Sequence, residues 1–96
     1  MQLVLQGETI RTERDLHDTL AKSLDFGPYY GNNLDALWDR LTTDIEGPLE
    51  IIWRNSSASR QALGDFLFDQ IAGLLIEVMQ TEAASGETEP FVVRFE

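Results

Sequence analysis

Asp35 and Asp39 stand four residues apart in the run Tyr29-Tyr30-Gly31-Asn32-Asn33-Leu34-Asp35-Ala36-Leu37-Trp38-Asp39-Arg40-Leu41. On a helix, that spacing projects both carboxylates from one side. Such a pair could act as general acid and base, as in glycosidases. With Asp44 it could hold a hard divalent cation through oxygen. It could also receive the cations of a basic partner, with Tyr29 and Tyr30 supplying aromatic area beside it. The remaining reading is a solvated acidic face. Acid–base work needs one carboxyl with a raised pKa, and an exposed helical face offers nothing to raise it. A metal site here lacks a loop to wrap the ion. The basic partner and the solvated face stay open. Like charges at this spacing cost a helix roughly 0.2–0.5 kcal/mol. Asp35 is compensated by the positive end of the helix dipole, whereas Asp39 lies further along. Asp44 falls near the unfavourable end, with Arg40 four residues before it as a possible partner.

Other reactive residues lead less far. His17 is the single histidine, so no second one completes a metal pair. It neighbours an apolar stripe and reads as a partly covered surface residue. The cluster Asn55-Ser56-Ser57-Ala58-Ser59 lacks a nearby base and the turn glycines of a nucleophile elbow, so a serine here caps a helix. No glycine-rich phosphate loop, HExxH pair or dinucleotide fingerprint is present. The chain does not read as an enzyme.

The elements that must position the aspartates follow from periodicity. Leu34, Leu37, Trp38 and Leu41 fall at i, i+3, i+4 and i+7, one apolar face of a helix that starts near Leu34. Asn33 caps it, and Pro28 and Gly31 mark an irregular approach. Upstream, Gln2 to Gln6 is a strand closed by Gly7. Thr12-x-x-Asp15 is a variant capping box. Leu16, Leu20 and Leu24 define a first helix ending near Gly27-Pro28. Downstream, Glu46-Gly47-Pro48 breaks the chain, and Leu49 to Trp53 is a strand apolar on both faces. A serine-capped helix is expected over 57–63, then a longer helix capped by Asp65 and running to about Ala84. Phe91 to Phe95 closes the chain as a third strand. Strands separated by helices imply parallel pairing through right-handed crossovers. The fold class is α/β, a three-stranded parallel sheet with helices packed on it.

Ninety-six residues, 43% of them apolar, are expected to form one domain over 1–96. Seventeen acidic against seven basic residues give a formal charge of -10. That argues against direct nucleic-acid or anionic-membrane binding and would steer association with a basic protein. The absence of cysteine excludes disulfides, thiolate zinc sites and cysteine catalysis. No apolar run reaches membrane length, and the first residues lack a basic, signal-like region. A cytoplasmic monomer without cofactor or metal is expected.

The run Tyr-Tyr-Gly-x-Asn-Leu-Asp-Ala-Leu-Trp-Asp at 29–39 closely resembles the barstar family, intracellular inhibitors of the secreted ribonuclease barnase. The likeness extends upstream through Gly7-Glu8-x-Ile10-Arg11 and Asp15-Leu16-His17-x-Thr19-Leu20. Downstream it continues through Pro48-Leu49 and Trp53-Arg54, and it weakens beyond that point. The resemblance implies the same sheet with about four helices, and a recognition surface made by the second helix and the segment before it. It implies that a basic, secreted, guanyl-preferring ribonuclease is bound one-to-one. By position, Asp39 would take the phosphate place against the enzyme's cationic cluster, and Asp35 would pair with a basic group at the edge. Tyr29 and Tyr30 would pack against the enzyme, with Asn33, Leu34, Trp38 and Thr42 completing the contact. Trp38 also lies on the apolar stripe, where a core role competes with a contact role.

Two departures stand out. Thr43-Asp44 replaces the family's Gly-Trp, which leaves Asp44 as a further acid on this surface. The family's glutamate contact in the last helix falls, by a gapless match from Gly86 backwards, on Thr81, with Glu82 one place later. Two other functions fit the same acidic surface: a non-inhibitory module of this fold that binds another basic protein, and an acidic protein that acts by self-association.

Overall fold

The computed structural model describes residues 1–43, 45, 48–84 and 91–96, with the side chains of 82–84 left aside. The elements run β1 (Gln2–Gln6), a 3-10 turn (Gly7–Thr9), α1 (Glu13–Leu24), α2 (Leu34–Thr43), β2 (Leu49–Arg54), α3 (Ser56–Leu63), α4 (Asp65–Ala84) and β3 (Phe91–Phe95). The three strands form a parallel sheet in the order β1-β2-β3. Ile51 sits between Leu3 and Val93 in register. The central strand is buried on both faces, by Leu49, Ile51 and Trp53 on one and Ile52 on the other. Its near-continuous apolar sequence has that cause. The α/β class and the parallel sheet are as the sequence implies.

Local signals set most of the ends. Thr12 and Asp15 form the expected capping box: Asp15 N–H donates to Thr12 Oγ1 at 3.0 Å, and Thr12 N–H donates to Asp15 Oδ2 at 3.1 Å. α1 stops at Leu24, short of Gly27-Pro28, because Asp25 takes a left-handed conformation with φ 56°. The serine cluster corrects expectation. α3 starts at Ser56, and its capping position belongs to Asn55, also left-handed, with no side-chain cap. The serines tie segments together instead. Ser56 N–H donates to the Glu96 carbonyl at 2.9 Å. Buried Ser59 accepts from Trp53 Nε1 at 3.0 Å and donates to the Gly7 carbonyl at 2.8 Å. Nor does Asp65 cap α4. It is the first helical residue and pairs with Arg60 at 3.2 Å, while the Gly64 carbonyl accepts from Phe68 N–H.

His17 is 1% exposed and stands in the core beside Leu16 and Leu20. The expected surface histidine is a buried one, because both its ring nitrogens find partners inside the chain.

Candidate partner-binding surface

α2 carries its apolar side inward and its acids outward. Leu37 and Leu41 are buried, Leu34 and Trp38 half-buried, Asp35 and Asp39 exposed. Asn33 starts the helix as expected, its Oδ1 accepting from Ala36 N–H at 2.7 Å. At the other end, Thr42 Oγ1 donates to the Trp38 carbonyl at 2.8 Å, and Thr43 Oγ1 to the Asp39 carbonyl at 2.5 Å. Among the described residues, neither Asp35 nor Asp39 enters an ion pair. The described arginine pairs lie elsewhere: Arg14 with Asp18, Arg54 with Glu96, Arg60 with Asp65 and Asp69, Arg94 with Glu50. Asp44 lies outside the described residues, as does the side chain of Glu82.

The two tyrosines part company. Tyr29 is 91% exposed. Tyr30 is 7% exposed and does not present its ring to a partner, which corrects the expectation that both would. Its hydroxyl lies 2.6 Å from His17 Nδ1, and His17 Nε2 lies 2.9 Å from Glu13 Oε2. A carboxylate only accepts, so Nε2 donates to it, and in the neutral ring Nδ1 accepts the Tyr30 proton. Burial, with the Glu13 carboxylate adding and Arg40 opposing, pushes the Tyr30 hydroxyl up to about 12. The Phe26 ring packs against Tyr30 at 4.8 Å. These inward anchors hold the segment from which Tyr29 projects.

Between α2 and α4 runs a groove of about 500 Å³, lined by Leu34, Asp35 and Trp38 from one helix and by Asp69, Gly73 and Glu77, among others, from the other. Asp69 and Glu77 are acids on α4 that the sequence analysis did not single out; both line the groove with Asp35 and Trp38, whereas Thr81, exposed one turn beyond Glu77, does not. Among the described residues, no group of three or more His, Asp or Glu is placed to hold a metal ion, and no helix is long and apolar enough to cross a membrane.

The arrangement is an acid-bearing, apolar-backed helix beside an exposed tyrosine, with a second acidic helix across a groove. The family model described as Barstar (barnase inhibitor) matches residues 1–96, the whole chain. The chain belongs to the barstar family. It is also similar to the protein named "Putative ribonuclease inhibitor YrdF" from Bacillus subtilis (strain 168), 38% identical over 79 residues, covering 82% of this chain and 81% of that one.

Proposed function

We propose that this chain inhibits a basic, secreted, guanyl-preferring ribonuclease of the barnase type. It binds one-to-one and covers the active site with α2 and the segment before it. A ribonuclease site holds anionic phosphate with Arg, Lys and His. Carboxylates set on a helix can fill the phosphate positions while offering no scissile bond. Asp39 takes the phosphate place. Asp35 pairs with a basic group at the edge, with Glu77 across the groove as a second acid. Tyr29 packs aromatic area on the enzyme, and Asn33, Leu34, Trp38 and Thr42 complete the contact, with Asp44 as a further acidic contact. Tyr30 acts from behind by holding Tyr29 outward. Binding alone does this work, so no catalysis is ascribed to the chain. An inhibitor of a secreted nuclease protects its cell from inside, which places it in the cytoplasm.

One observation carries this reading: Asp35 and Asp39 stand exposed on a capped helix, neither in an ion pair with a described residue. No ion pair with a described side chain has to break before they meet a partner's cations. The test is titration of the chain into barnase while RNA cleavage is followed. Cleavage should stop at one equivalent. Full cleavage alongside a measurable complex would favour a non-inhibitory module. A concentration-dependent mass for the chain alone, with no complex, would favour self-association.

A further inference from the structure

Phe66, Gln70, Gly73 and Glu77 follow along α4 at i, i+4, i+7 and i+11, a single stripe of the helix. The last three line the groove against α2. Phe66 extends the stripe beyond it and is 78% exposed. One exposed apolar side chain is ordinary and by itself needs no account.

Gly73 is an independent observation. It sits inside a 20-residue helix, where alanine is favoured over glycine. A Cβ built there meets nothing within 4 Å, so packing inside the chain does not call for glycine. The residue is also helical, so no left-handed backbone calls for it. Its effect is to bare the backbone on a crest between two hollows. One is the α2–α4 groove, and the other is a hollow of about 440 Å³ bordered by Phe68, Ile76 and Phe95. Bare backbone at a surface admits the close approach of another chain.

We propose that the contact with the basic ribonuclease continues over this crest, where a segment of the enzyme crosses Gly73 at close range and lays a Lys or Arg over the Phe66 ring. This rests on the inhibitor reading above. From Gly73 to Phe66 the helix rises about 10 Å, the reach of three residues of extended chain. The surroundings suit a cation. Asp65 and Asp69 flank the stripe, and Glu77 is its last member. Arg60 is already matched by Asp65 at 3.2 Å and Asp69 at 2.9 Å, and its guanidinium lies 4.4 Å over Phe68, not over Phe66. The exposed face of Phe66 can therefore hold a cationic head.

The experiment measures affinity for barnase and Tm for Phe66→Ala, Gly73→Leu and Asp39→Ala. Phe66→Ala should weaken binding about tenfold with Tm unchanged. Gly73→Leu should raise Tm by about 4 °C or more through helix propensity, yet weaken binding about tenfold by blocking the crest. That opposition of sign is what a purely structural glycine would not give. If Asp39→Ala abolishes binding while Phe66→Ala and Gly73→Leu bind like the parent, the crest proposal is wrong and the inhibitor reading stands. If the parent does not bind barnase, or Asp39→Ala binds equally well, the inhibitor reading fails and takes the crest with it. Should Gly73→Leu lower Tm, Phe66→Ala, altered only at an exposed ring, decides alone.

Discussion

An aspartate without an internal partner meets an incoming cation at the cost of its hydration alone. Among the described residues Asp39 has no such partner: it is exposed on α2 and enters no ion pair with them. The expected loss on Asp39→Ala is borrowed from the measured barnase–barstar complex, where close charge pairs couple by about 1.5–7 kcal/mol. Binding should weaken by about 3 kcal/mol or more, two decades in Kd. Folding stability should move by less than about 0.5 kcal/mol, and upward if anything, because the Asp35–Asp39 repulsion is relieved. Titration calorimetry beside urea unfolding reads both, and equal affinity for variant and parent would remove Asp39 from the site. Tyr30 makes the opposite case. Its hydroxyl is held up to about 12, mainly by burial. The folded pKa is above the ordinary value near 10, so the unfolded chain loses its proton first as pH rises. This stabilisation is intact below about pH 10 and falls away between about 10 and 12, by on the order of 2 kcal/mol. Tyr30→Phe should flatten that part of the unfolding profile, and a parallel decline in both proteins would contradict it. The sequence made the outward placement of the aspartates legible, because the apolar stripe of Leu34, Leu37 and Leu41 leaves both on the opposite, polar side of the helix. It did not reveal which tyrosine faces in, since the His17 contact spans 13 residues and leaves no periodic trace.

Helix and strand existence was readable wherever one spacing governed many residues: Leu16 and Leu20, Leu34 to Leu41, the alternation of Phe91 to Phe95. Ends were readable where the capping group is a side chain, as at Thr12 and Asn33. They were misread where a left-handed backbone ends or starts the helix. Asp25 and Asn55 adopt φ 56° and 49°, and a polar residue in sequence does not announce which conformation it takes. The ties between elements were hidden altogether. Gly7, placed as a strand terminator, is also where α3 comes in: a Cβ there would lie 1.9 Å from the Asn55 carbonyl oxygen. That oxygen is backbone and cannot swing aside. Gly7→Ala must therefore push β1 and the start of α3 apart and strain the Ser59–Gly7 bond. A loss of about 3 kcal/mol or more is expected, against a gain for substitutions at the open Gly73. Denaturant midpoints for the two variants would show whether the signs differ, and a neutral Gly7→Ala would mean that the close approach relaxes freely.

At the scale of the molecule, charge works through distance as well as contact. The chain carries -10 on a body of 35 × 29 × 22 Å. At 0.01 M salt the screening length is about 30 Å, so nearly every charge on the molecule acts on an approaching cation. At 1 M it is about 3 Å, and only groups in contact still act. Steering of this kind lifts association to about 10⁸–10⁹ M⁻¹s⁻¹ at low salt, against about 10⁵–10⁶ without it. The association rate with barnase should thus fall by at least about tenfold across that salt range. Dissociation, governed by desolvated contacts at α2, should change far less. A charge outside the named contact residues separates the two effects. Asp18 on α1 is exposed, pairs only loosely with Arg14 at 3.5 Å, and borders a hollow beside Asn32 at the edge of the proposed contact. Asp18→Lys should slow association at 0.01 M salt, leave it unchanged at 1 M, and leave dissociation unchanged at both. If that variant instead speeds dissociation, α1 belongs to the interface. If it changes neither rate at low salt, the net charge serves solubility alone and the encounter is guided locally by α2.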